Sequence, residues 1–271
     1  MQVREAVQGK MMKESNVVLA AQALREARKA GRTIPRISET FNVRGLDDAY
    51  AVAELNAGLA RAQGRTVSGK KVGLTSRAVQ QQLGVDEPDF GVLYGDMEFL
   101  TGEEVPVSRL VQPKAEGEIA FVIGRDLTYE HITWGRFLAS LEYALPAIEF
   151  VDSVIADWDI TLEDTVADNA SCGLYALGDT PKRISELDFS DCPMRLESVD
   201  GKSSEGNGAA CMGNPLYAAW WLARTLSLRG QPLKAGEVVL SGALGPMIPV
   251  SPGEQLRLRI GGLGQILCRT V

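Results

Sequence analysis

The stretch from Gln112 to Phe121, QPKAEGEIAF, constrains the fold most, because it places two glutamates at the entry of an apolar run. The branched and aromatic residues that follow are typical of a half-buried or buried β-strand. Side chains alternate between the two faces of a strand, so Glu116 and Glu118 point the same way and Gly117 points the opposite way. The sequence therefore predicts two neighbouring carboxylates on one face of a strand.

Two like charges at this spacing are unfavourable in a partly dry setting unless one carboxyl group is protonated or a cation lies between them. One interpretation is a strand edge in water that simply carries two acids. The other is a divalent metal ion held by oxygen ligands, which requires at least one further carboxylate. The segment alone leaves both interpretations open.

A third carboxylate lies in the segment LPAIEFVDS, which predicts a strand of roughly five residues centred on Glu149. A charge flanked by large apolar residues is rarely left unpaired inside a protein. Glu149 could instead face solvent or pair with an arginine. Together with Glu116 and Glu118 it would form an oxygen-only site, which suits Mg²⁺ or Mn²⁺ and disfavours zinc.

Composition limits the partners. The chain has 271 residues, of which 45% are hydrophobic, and can bury a full core in one large domain or two small ones. A net charge of -7 and a pI near 5.0 argue against binding to a nucleic-acid backbone. A small acidic substrate would therefore have to be bound locally, by a metal ion or a well-placed lysine.

The cysteines and the termini indicate a location. The four cysteines are scattered, without the paired spacing of zinc or redox sites, and are expected to be buried thiols in a reducing compartment. The N-terminus lacks the continuous apolar segment of a signal peptide. The uncharged stretch at 206–223 is interrupted by glycine, asparagine and proline, so no membrane span is expected. These features predict a cytoplasmic protein that does not contact a membrane.

The order of the predicted elements indicates an α+β fold. A helical N-terminal subdomain, residues 1–66, is expected to precede a strand-rich body, residues 67–271, made of mixed β-sheet. Apolar spacing and glycine stops predict helices at 17–30, 47–64, 76–83, 134–145 and 215–228.

Other features are expected to have no catalytic role. His131 is the only histidine and lies in a predicted loop or helix start, which disfavours a serine triad. The GGLG segment at Gly261 follows a strand without a subsequent helix, so it does not match a dinucleotide loop. Asp152 and Asp157 could support the metal ligands, although acids in a solvated loop are the simpler interpretation.

Four long motifs resemble one known family. These are SGKKVGLTSRAVQQQLGVDEPDFGVLYGDM at 68–97, QPKAEGEIAF at 112–121, PAIEFVDSVIADWDI at 146–160 and DTVADNASCGLYALGD at 164–179. They are similar to the 2-oxopent-4-enoate hydratases, also called 2-hydroxypenta-2,4-dienoate hydratases, of the fumarylacetoacetate hydrolase superfamily. The resemblance extends from about Asp47 to Val271 and implies the mixed-sheet and β-roll body of that superfamily.

The resemblance implies a role for each matching residue. Glu116, Glu118 and Glu149 are expected to bind a catalytic Mg²⁺ or Mn²⁺. Lys71 is expected to act on the substrate enol, and Asp89 to line the same pocket, although PDF can also be a turn with a structural aspartate. The residues expected to contact the acid end of the substrate are Ser171, Ser241 and Gly242.

The chemistry is consistent with this assignment. A 2-oxo or 2-hydroxy acid can chelate a hard cation through two adjacent oxygens, and an acid and a base must then move protons at the distal carbons. Lys71 is the candidate at the enol oxygen. Its neighbour Lys70 points to the opposite face of a strand and serves as an internal control.

Other functions remain open. The sister 4-oxalocrotonate decarboxylases and the acylpyruvate hydrolases would use the same acids on related 2-oxo compounds. A non-catalytic partner of a pathway decarboxylase is a further alternative, which the complete set of acids and Lys71 disfavours. The resemblance also implies a homo-oligomer that could associate with a pathway decarboxylase or aldolase.

Overall fold

The computed structural model describes residues 2–77, 80, 81, 85 and 87–271, with side chains from residue 13 onward within those ranges. The α-helices of this part are α1 (Gln2–Lys29), α2 (Ile37–Thr40), α3 (Gly45–Ala62), α4 (Trp134–Ser140), α5 (Leu162–Ala167) and α6 (Pro215–Leu228). None of the described helices combines the length and the apolar character that a membrane crossing requires.

The strands follow the N-terminal helices. They are β1 (Val67–Gly73), β2 (Asp89–Tyr94), β3 (Glu98–Leu100), β4 (Glu104–Val105), β5 (Lys114–Ile123), β6 (Leu141–Val151), β7 (Cys172–Leu177), β8 (Pro193–Ser198), β9 (Ser203–Asn207), β10 (Val238–Leu240), β11 (Ile248–Pro249), β12 (Gln255–Ile260) and β13 (Gly264–Thr270).

These strands form two mixed sheets. The eight-stranded sheet has the order β2-β1-β10-β5-β6-β7-β3, with β11 also paired to β5. The five-stranded sheet has the order β4-β13-β12-β8-β9. Strands β1 and β10 run parallel, whereas β5 and β6 form a long antiparallel pair at the centre of the larger sheet. The predicted α+β fold, with helices first and a strand-rich body after them, is confirmed.

The two sheets pack against each other through β5 and β6. Gly117 on β5 faces the smaller sheet, because a Cβ atom at this position would lie 2.7 Å from Leu258 Cδ1 and 2.9 Å from Met194 Sδ. The glutamates on either side of Gly117 therefore point away from the smaller sheet. This packing leaves room on the other face of the larger sheet for a functional site.

The N-terminal helices form a second apolar cluster with α5 and the residues that follow β6. Val17, Leu24 and Val52 from α1 and α3 pack in this cluster with Val154 and Val166. The helical region therefore lies against the segments that leave the central strands. The division of the chain at residues 66 and 67 stays a prediction.

Several element boundaries differ from the sequence expectations. The helix 215–228 is confirmed, and α1 is longer than predicted. The helix predicted to reach residue 145 ends at Ser140, and β6 begins at Leu141. Residues 141–151 pair with β5 instead, so the chain is extended from Leu141 onward. The helix predicted at 76–83 includes residues outside the described part of the chain.

Candidate active site

The three predicted metal ligands come together at the centre of the larger sheet. Glu116 on β5 is directly opposite Glu149 on β6 in the antiparallel register, and Glu118 lies two residues further along β5. One carboxylate oxygen from each residue can be chosen so that all three lie within 4.8 Å of one another. Three acids from two adjacent strands thus converge on one point, as the strand alternation predicted.

Burial makes this cluster electrostatically costly. Glu118 and Glu149 are buried and Glu116 is half-buried. Burial, together with the nearby Glu149 carboxylate, raises the pKa of Glu116 to about 7 and the pKa of Glu118 well above its usual range. Neither oxygen of Glu149 has a hydrogen-bond partner among the described residues. A hard divalent cation would satisfy these oxygens, so the donor set fits such an ion.

The turn after β10 holds Glu118 in place. The backbone N–H of Gly242 donates a hydrogen bond of 2.8 Å to Glu118 Oε2. Gly242 has φ +100°, and a Cβ atom there would lie 2.4 Å from Thr75 Oγ1, so the position requires glycine. The adjacent Ser241 hydroxyl is buried, donates to the Gly242 carbonyl and accepts from the N–H of Ile119.

Lys71 reaches the cluster from β1. Its Nζ atom lies 3.4 Å from Glu149 Oε2 and donates a 2.9 Å hydrogen bond to the carbonyl of Ala170. Burial alone would lower the pKa of Lys71, but the carboxylates of Glu149 and Asp89 raise it above its ordinary value. Lys70 lies 3.7 Å from Glu237 on the other side of the strand. The expected separation of the two lysines is thus observed.

Asp89 is the first residue of β2 and lies opposite Gly73 of β1. It is buried, and neither of its carboxylate oxygens has a hydrogen-bond partner in the described part of the chain. Burial raises the pKa of Asp89 to about 6, although Lys71 acts in the opposite direction. A Cβ atom on Gly73 would lie 2.1 Å from Asp89 Oδ1 and 3.4 Å from Lys71 Nζ. Gly73 therefore provides the space in which the aspartate and the lysine meet.

A strained loop before β7 completes the site. Asn169, Ala170 and Ser171 have φ values of +59°, +53° and +52°, which non-glycine residues rarely adopt. The Asn169 side chain exchanges two hydrogen bonds with the backbone of Val92 in β2. The Ser171 hydroxyl lies 3.1 Å from the Thr165 hydroxyl, in a buried position. Consecutive strained residues of this kind occur where the surrounding structure fixes them, often at functional sites.

The structure decides between several interpretations of the sequence. Strand β5 is paired on both sides, so the acids do not lie on a solvated sheet edge. Glu149 neither faces solvent nor pairs with an arginine, since the cation nearest to it in the described chain is Lys71. The interpretation of Asp152 as a solvated loop acid is wrong, because Arg28 pairs with its buried carboxylate. Asp157 is exposed, as expected.

Two cavities lie close to this site. A cavity of about 380 Å³ is lined in part by Ser76, Arg77 and Met212, and the Met212 N–H donates to the Thr75 carbonyl beside Gly242. A larger cavity of about 690 Å³ lies between the N-terminal helices and the loop before β7, with Asn169 and Cys172 in its wall. Among the described residues, none of the three glutamates lines either cavity.

Sequence analysis did not single out Arg28, Asp168 or Asn169. The DNAS segment was part of a recognised motif, but only Ser171 in it was assigned a role. No sequence signal predicts left-handed backbone at non-glycine residues, and an arginine in a surface helix has no special signature. The pairing of Arg28 with Asp168 follows from the packing of α1 against the strand-rich part of the chain.

Comparison with known proteins identifies the family. The sequence model of the fumarylacetoacetate (FAA) hydrolase C-terminal family matches residues 67–271. The 2-keto-4-pentenoate hydratase of Paraburkholderia xenovorans (strain LB400) is 51% identical over 247 residues, covering 91% of this chain and 92% of that protein. A 2-keto-4-pentenoate hydratase of Dechloromonas aromatica (strain RCB) is 49% identical, with 91% and 94% coverage.

One solved structure shares the fold over almost the whole chain. The 4-oxalocrotonate decarboxylase from Pseudomonas putida G7, complexed with magnesium and adipate, has a TM-score of 0.88 and 30% sequence identity. The match covers 95% of this chain and 98% of the decarboxylase. The chain belongs to the fumarylacetoacetate hydrolase family and, within it, to the group of 2-keto-4-pentenoate hydratases, which confirms the resemblance seen in the motifs.

Proposed function

We propose that the protein is a hydro-lyase that adds water to 2-hydroxypenta-2,4-dienoate, the enol form of 2-keto-4-pentenoate, and releases 4-hydroxy-2-oxopentanoate. The observation that carries the proposal is the convergence of three glutamates, two buried and one half-buried, beside Lys71 and Asp89. The names of relatives that share about half of their sequence with this chain support the substrate. The reaction belongs to the meta-cleavage degradation of aromatic compounds.

We assign a divalent ion, Mg²⁺ or Mn²⁺, to Glu116, Glu118 and Glu149. An oxygen-only set of this charge suits a hard cation, and the orphaned oxygens of Glu149 are explained by one. When bound, the ion supplies a Lewis acid that polarises the 2-oxo group and orients the substrate acid. The magnesium in the related decarboxylase structure supports this assignment.

We assign Lys71 to proton transfer at the C2 oxygen of the substrate. The Ala170 carbonyl and Glu149 hold its ammonium group, and the surrounding carboxylates keep it charged. In the first step the hydroxyl proton at C2 leaves and a proton is added at C5, which gives a conjugated 2-oxo-3-enoate. The ammonium can donate to the C2 oxygen as negative charge develops there.

We assign Asp89 to the second step. Water adds to C4 of the conjugated acid, and a proton is added at C3. A carboxyl group whose pKa is about 6 can exchange protons near neutral pH. The Asp89 carboxylate lies next to Gly73 and Lys71, so the aspartate and the lysine can act on one substrate. Separate substitutions at Lys71 and next to Asp89 test which of the two groups delivers each proton.

The acid end of the substrate is assigned to the turn after β10 and the loop before β7. The Gly242 N–H donates to Glu118, and Ser171 directly follows Ala170, whose carbonyl accepts the hydrogen bond from Lys71. We also infer that the working enzyme is a homo-oligomer that can associate with the decarboxylase or aldolase of its pathway.

One alternative has a specific observation in its favour. The decarboxylase structure shares almost the whole fold at a TM-score of 0.88, and its reaction would use the same acids to stabilise an enolate. Its sequence identity of 30% is well below the 51% of the hydratase from Paraburkholderia xenovorans. Acylpyruvate hydrolysis is a more distant alternative within the same superfamily.

The test follows the dienoate absorbance with purified protein that has been stripped of metal by a chelator. We expect turnover to be lost on stripping and restored by Mg²⁺ or Mn²⁺, with 4-hydroxy-2-oxopentanoate as the product. 4-Oxalocrotonate serves as the competing substrate. Release of carbon dioxide from it at a higher kcat/KM than hydration of the dienoate would favour the decarboxylase, and a metal-independent function would favour a scaffold.

A further inference from the structure

Arg28, in the last turn of α1, connects the N-terminal helix to the acids around the site. One amino group of its guanidinium donates 2.8 and 2.9 Å hydrogen bonds to the two oxygens of Asp168, and the other donates a 2.7 Å bond to Asp152. The side chain of Asp152 is fully buried and that of Asp168 is 6% exposed. A single cation thus compensates two buried carboxylates.

Each of these aspartates fixes backbone near the site. Asp152 accepts 2.9 and 2.7 Å bonds from the N–H groups of Val111 and Gln112, just before the strand that carries two of the glutamates. Asp168 accepts from the N–H of Val154, and its carbonyl accepts from the N–H of Ser171. The Asp152 N–H in turn donates to the Ser171 carbonyl. The two acids therefore close the loop before β7 from both ends.

That loop holds Lys71. Asn169, Ala170 and Ser171 are all left-handed, and the Ala170 carbonyl accepts the hydrogen bond from Lys71 Nζ. Left-handed non-glycine residues persist only where neighbouring contacts fix them. The ion pair between Arg28 and Asp168 is one such contact, directly before the three residues. Loss of the arginine would leave two unpaired buried carboxylates facing each other, and the loop could relax.

We propose that Arg28 is a positioning residue for the reaction, which acts through Asp168 and the Ala170 carbonyl to hold the Lys71 ammonium at the carboxylate cluster. This inference rests on the proposed function. The family model begins at residue 67, so the positioning group comes from a part of the chain outside the matched domain. It gives the first helix a role in catalysis beyond stability.

The geometry requires an arginine. A guanidinium presents separate amino groups in a rigid plane, and here they serve different aspartates. A lysine at this position offers one compact ammonium group and can compensate the charge of only one acid well. Arg28→Lys should therefore recover part of the function that Arg28→Gln loses.

The test compares Arg28→Gln, Arg28→Lys and the control Arg25→Gln. The exposed Arg25 lies one turn earlier on α1 and donates to the half-buried Asn56. We expect kcat to fall by about 10- to 100-fold in Arg28→Gln, because small misplacements of catalytic groups have effects of this size. KM and the Mn²⁺ affinity should change by less than about threefold, since the glutamates lie on paired strands. Arg28→Lys should be intermediate, and Arg25→Gln should match the wild type.

Hydrogen exchange provides a readout that does not depend on activity. The amides of Asp152 and Ser171 should lose protection in Arg28→Gln and keep it in Arg25→Gln. All measurements are made well below the unfolding temperature of each variant. Should Arg28→Gln fail to fold, Asp168→Asn, which removes the charge and keeps an acceptor for Val154, must lower kcat in the same way.

The outcomes separate the two proposals. An inactive wild type would overturn the hydratase assignment, and this inference with it. An active wild type with normal kcat and normal amide protection in Arg28→Gln would overturn the positioning role alone. A fall in stability without a fall in kcat per folded molecule would also overturn it.

Discussion

Two strands in this protein carry charged residues at the same spacing and use them differently. On β5 of the larger sheet, Glu116 and Glu118 face a buried cluster, and neither forms an ion pair of its own within the described part of the chain. On β8 of the smaller sheet, Arg195 and Glu197 pair with each other at 2.9 Å in an exposed position. An alternating pattern shows that two charges share a face, but it does not show what covers that face.

The residues between the charges explain the difference. On β8 the intervening Leu196 is buried, so the charged face of that strand is left to water. On β5 the intervening Gly117 packs against Met194 and Leu258, so its charged face turns toward the interior of the site. Surface ion pairs contribute little to stability, whereas a buried cluster of like charges needs a cation. The two strands should therefore respond very differently to the same substitution.

The largest contrast is expected between Glu116→Gln and Glu197→Gln. Each change removes one charge at nearly constant shape. Loss of a metal ligand should lower kcat/KM by at least about 10³-fold, which corresponds to roughly 4 kcal/mol of transition-state stabilisation. Glu197→Gln should alter activity by less than about twofold. Steady-state kinetics on the dienoate checks both, and equal effects would contradict the comparison.

The two adjacent lysines of β1 provide a second comparison between a residue of the site and a residue outside it. Lys71→Met should lower kcat by about 10²- to 10⁴-fold, because a proton-transferring group is lost. Lys70→Met removes a buried cation paired with Glu237 and should affect the unfolding midpoint more than kcat. Rates and thermal unfolding of both variants are the measurement. A similar kcat in the two variants would contradict the proposed role of Lys71 in proton transfer.

Substitution of two glycines should affect activity in one case and stability in the other. Gly73→Ala would push a Cβ atom to 2.1 Å from Asp89 Oδ1, so we expect kcat to fall by about 10- to 100-fold. Gly261→Ala, at the end of β12, meets Pro193 Cδ at 2.6 Å and should lower the free energy of unfolding by about 1–3 kcal/mol. Kinetics and urea unfolding check the pair. Normal activity in Gly73→Ala would show that Asp89 does not need its present position.

The smallest effects concern pH and the metal-free protein. The pKa of Glu116 is raised to about 7 by burial and Glu149, so the folded state binds the proton more tightly than the unfolded state. Its contribution to stability is therefore present below about pH 4.5 and is lost as the pH rises through about 7. Metal-free Glu116→Gln should be more stable than the wild type at pH 8, by on the order of 1–2 kcal/mol, and this advantage should vanish near pH 4.5.

Glu254 beside the smaller sheet should show the opposite sign. Burial would raise its pKa, but hydrogen bonds from Lys202, Ser198 and the Ser251 N–H lower it below the ordinary value. Its contribution to stability is present above the unfolded pKa and is lost as the pH falls through the lower, folded value. Glu254→Gln should therefore be less stable than the wild type at pH 7, and the difference should shrink as the pH falls below about 4.5. Urea unfolding across this range tests both signs.

The sequence predicted what depends on local pattern. Alternation placed Glu116 and Glu118 on one face, apolar flanks distinguished Glu149 from a solvent-facing acid, and apolar spacing predicted the helix at 215–228. These features follow from neighbouring residues alone. The motifs added Lys71 and Asp89, which the structure places beside the cluster.

The sequence did not predict what depends on contacts between distant segments. The burial of Asp152 arises from Arg28, which is 124 residues away in sequence. The left-handed conformation of Asn169, Ala170 and Ser171 is imposed by surrounding contacts and has no glycine to mark it. Pro146 opposes the helical conformation at Leu145, but the end of α4 at Ser140 follows from the pairing of β6 with the distant β5.

The central claim is that the three glutamates bind one divalent ion. Titration of chelator-treated protein with Mn²⁺, followed by electron paramagnetic resonance of the free ion, tests it without reference to turnover. We predict one Mn²⁺ per chain in the wild type and in Glu197→Gln, and an affinity at least about 100-fold lower in Glu149→Gln. Unchanged binding in Glu149→Gln, or no binding in the wild type, would contradict the account.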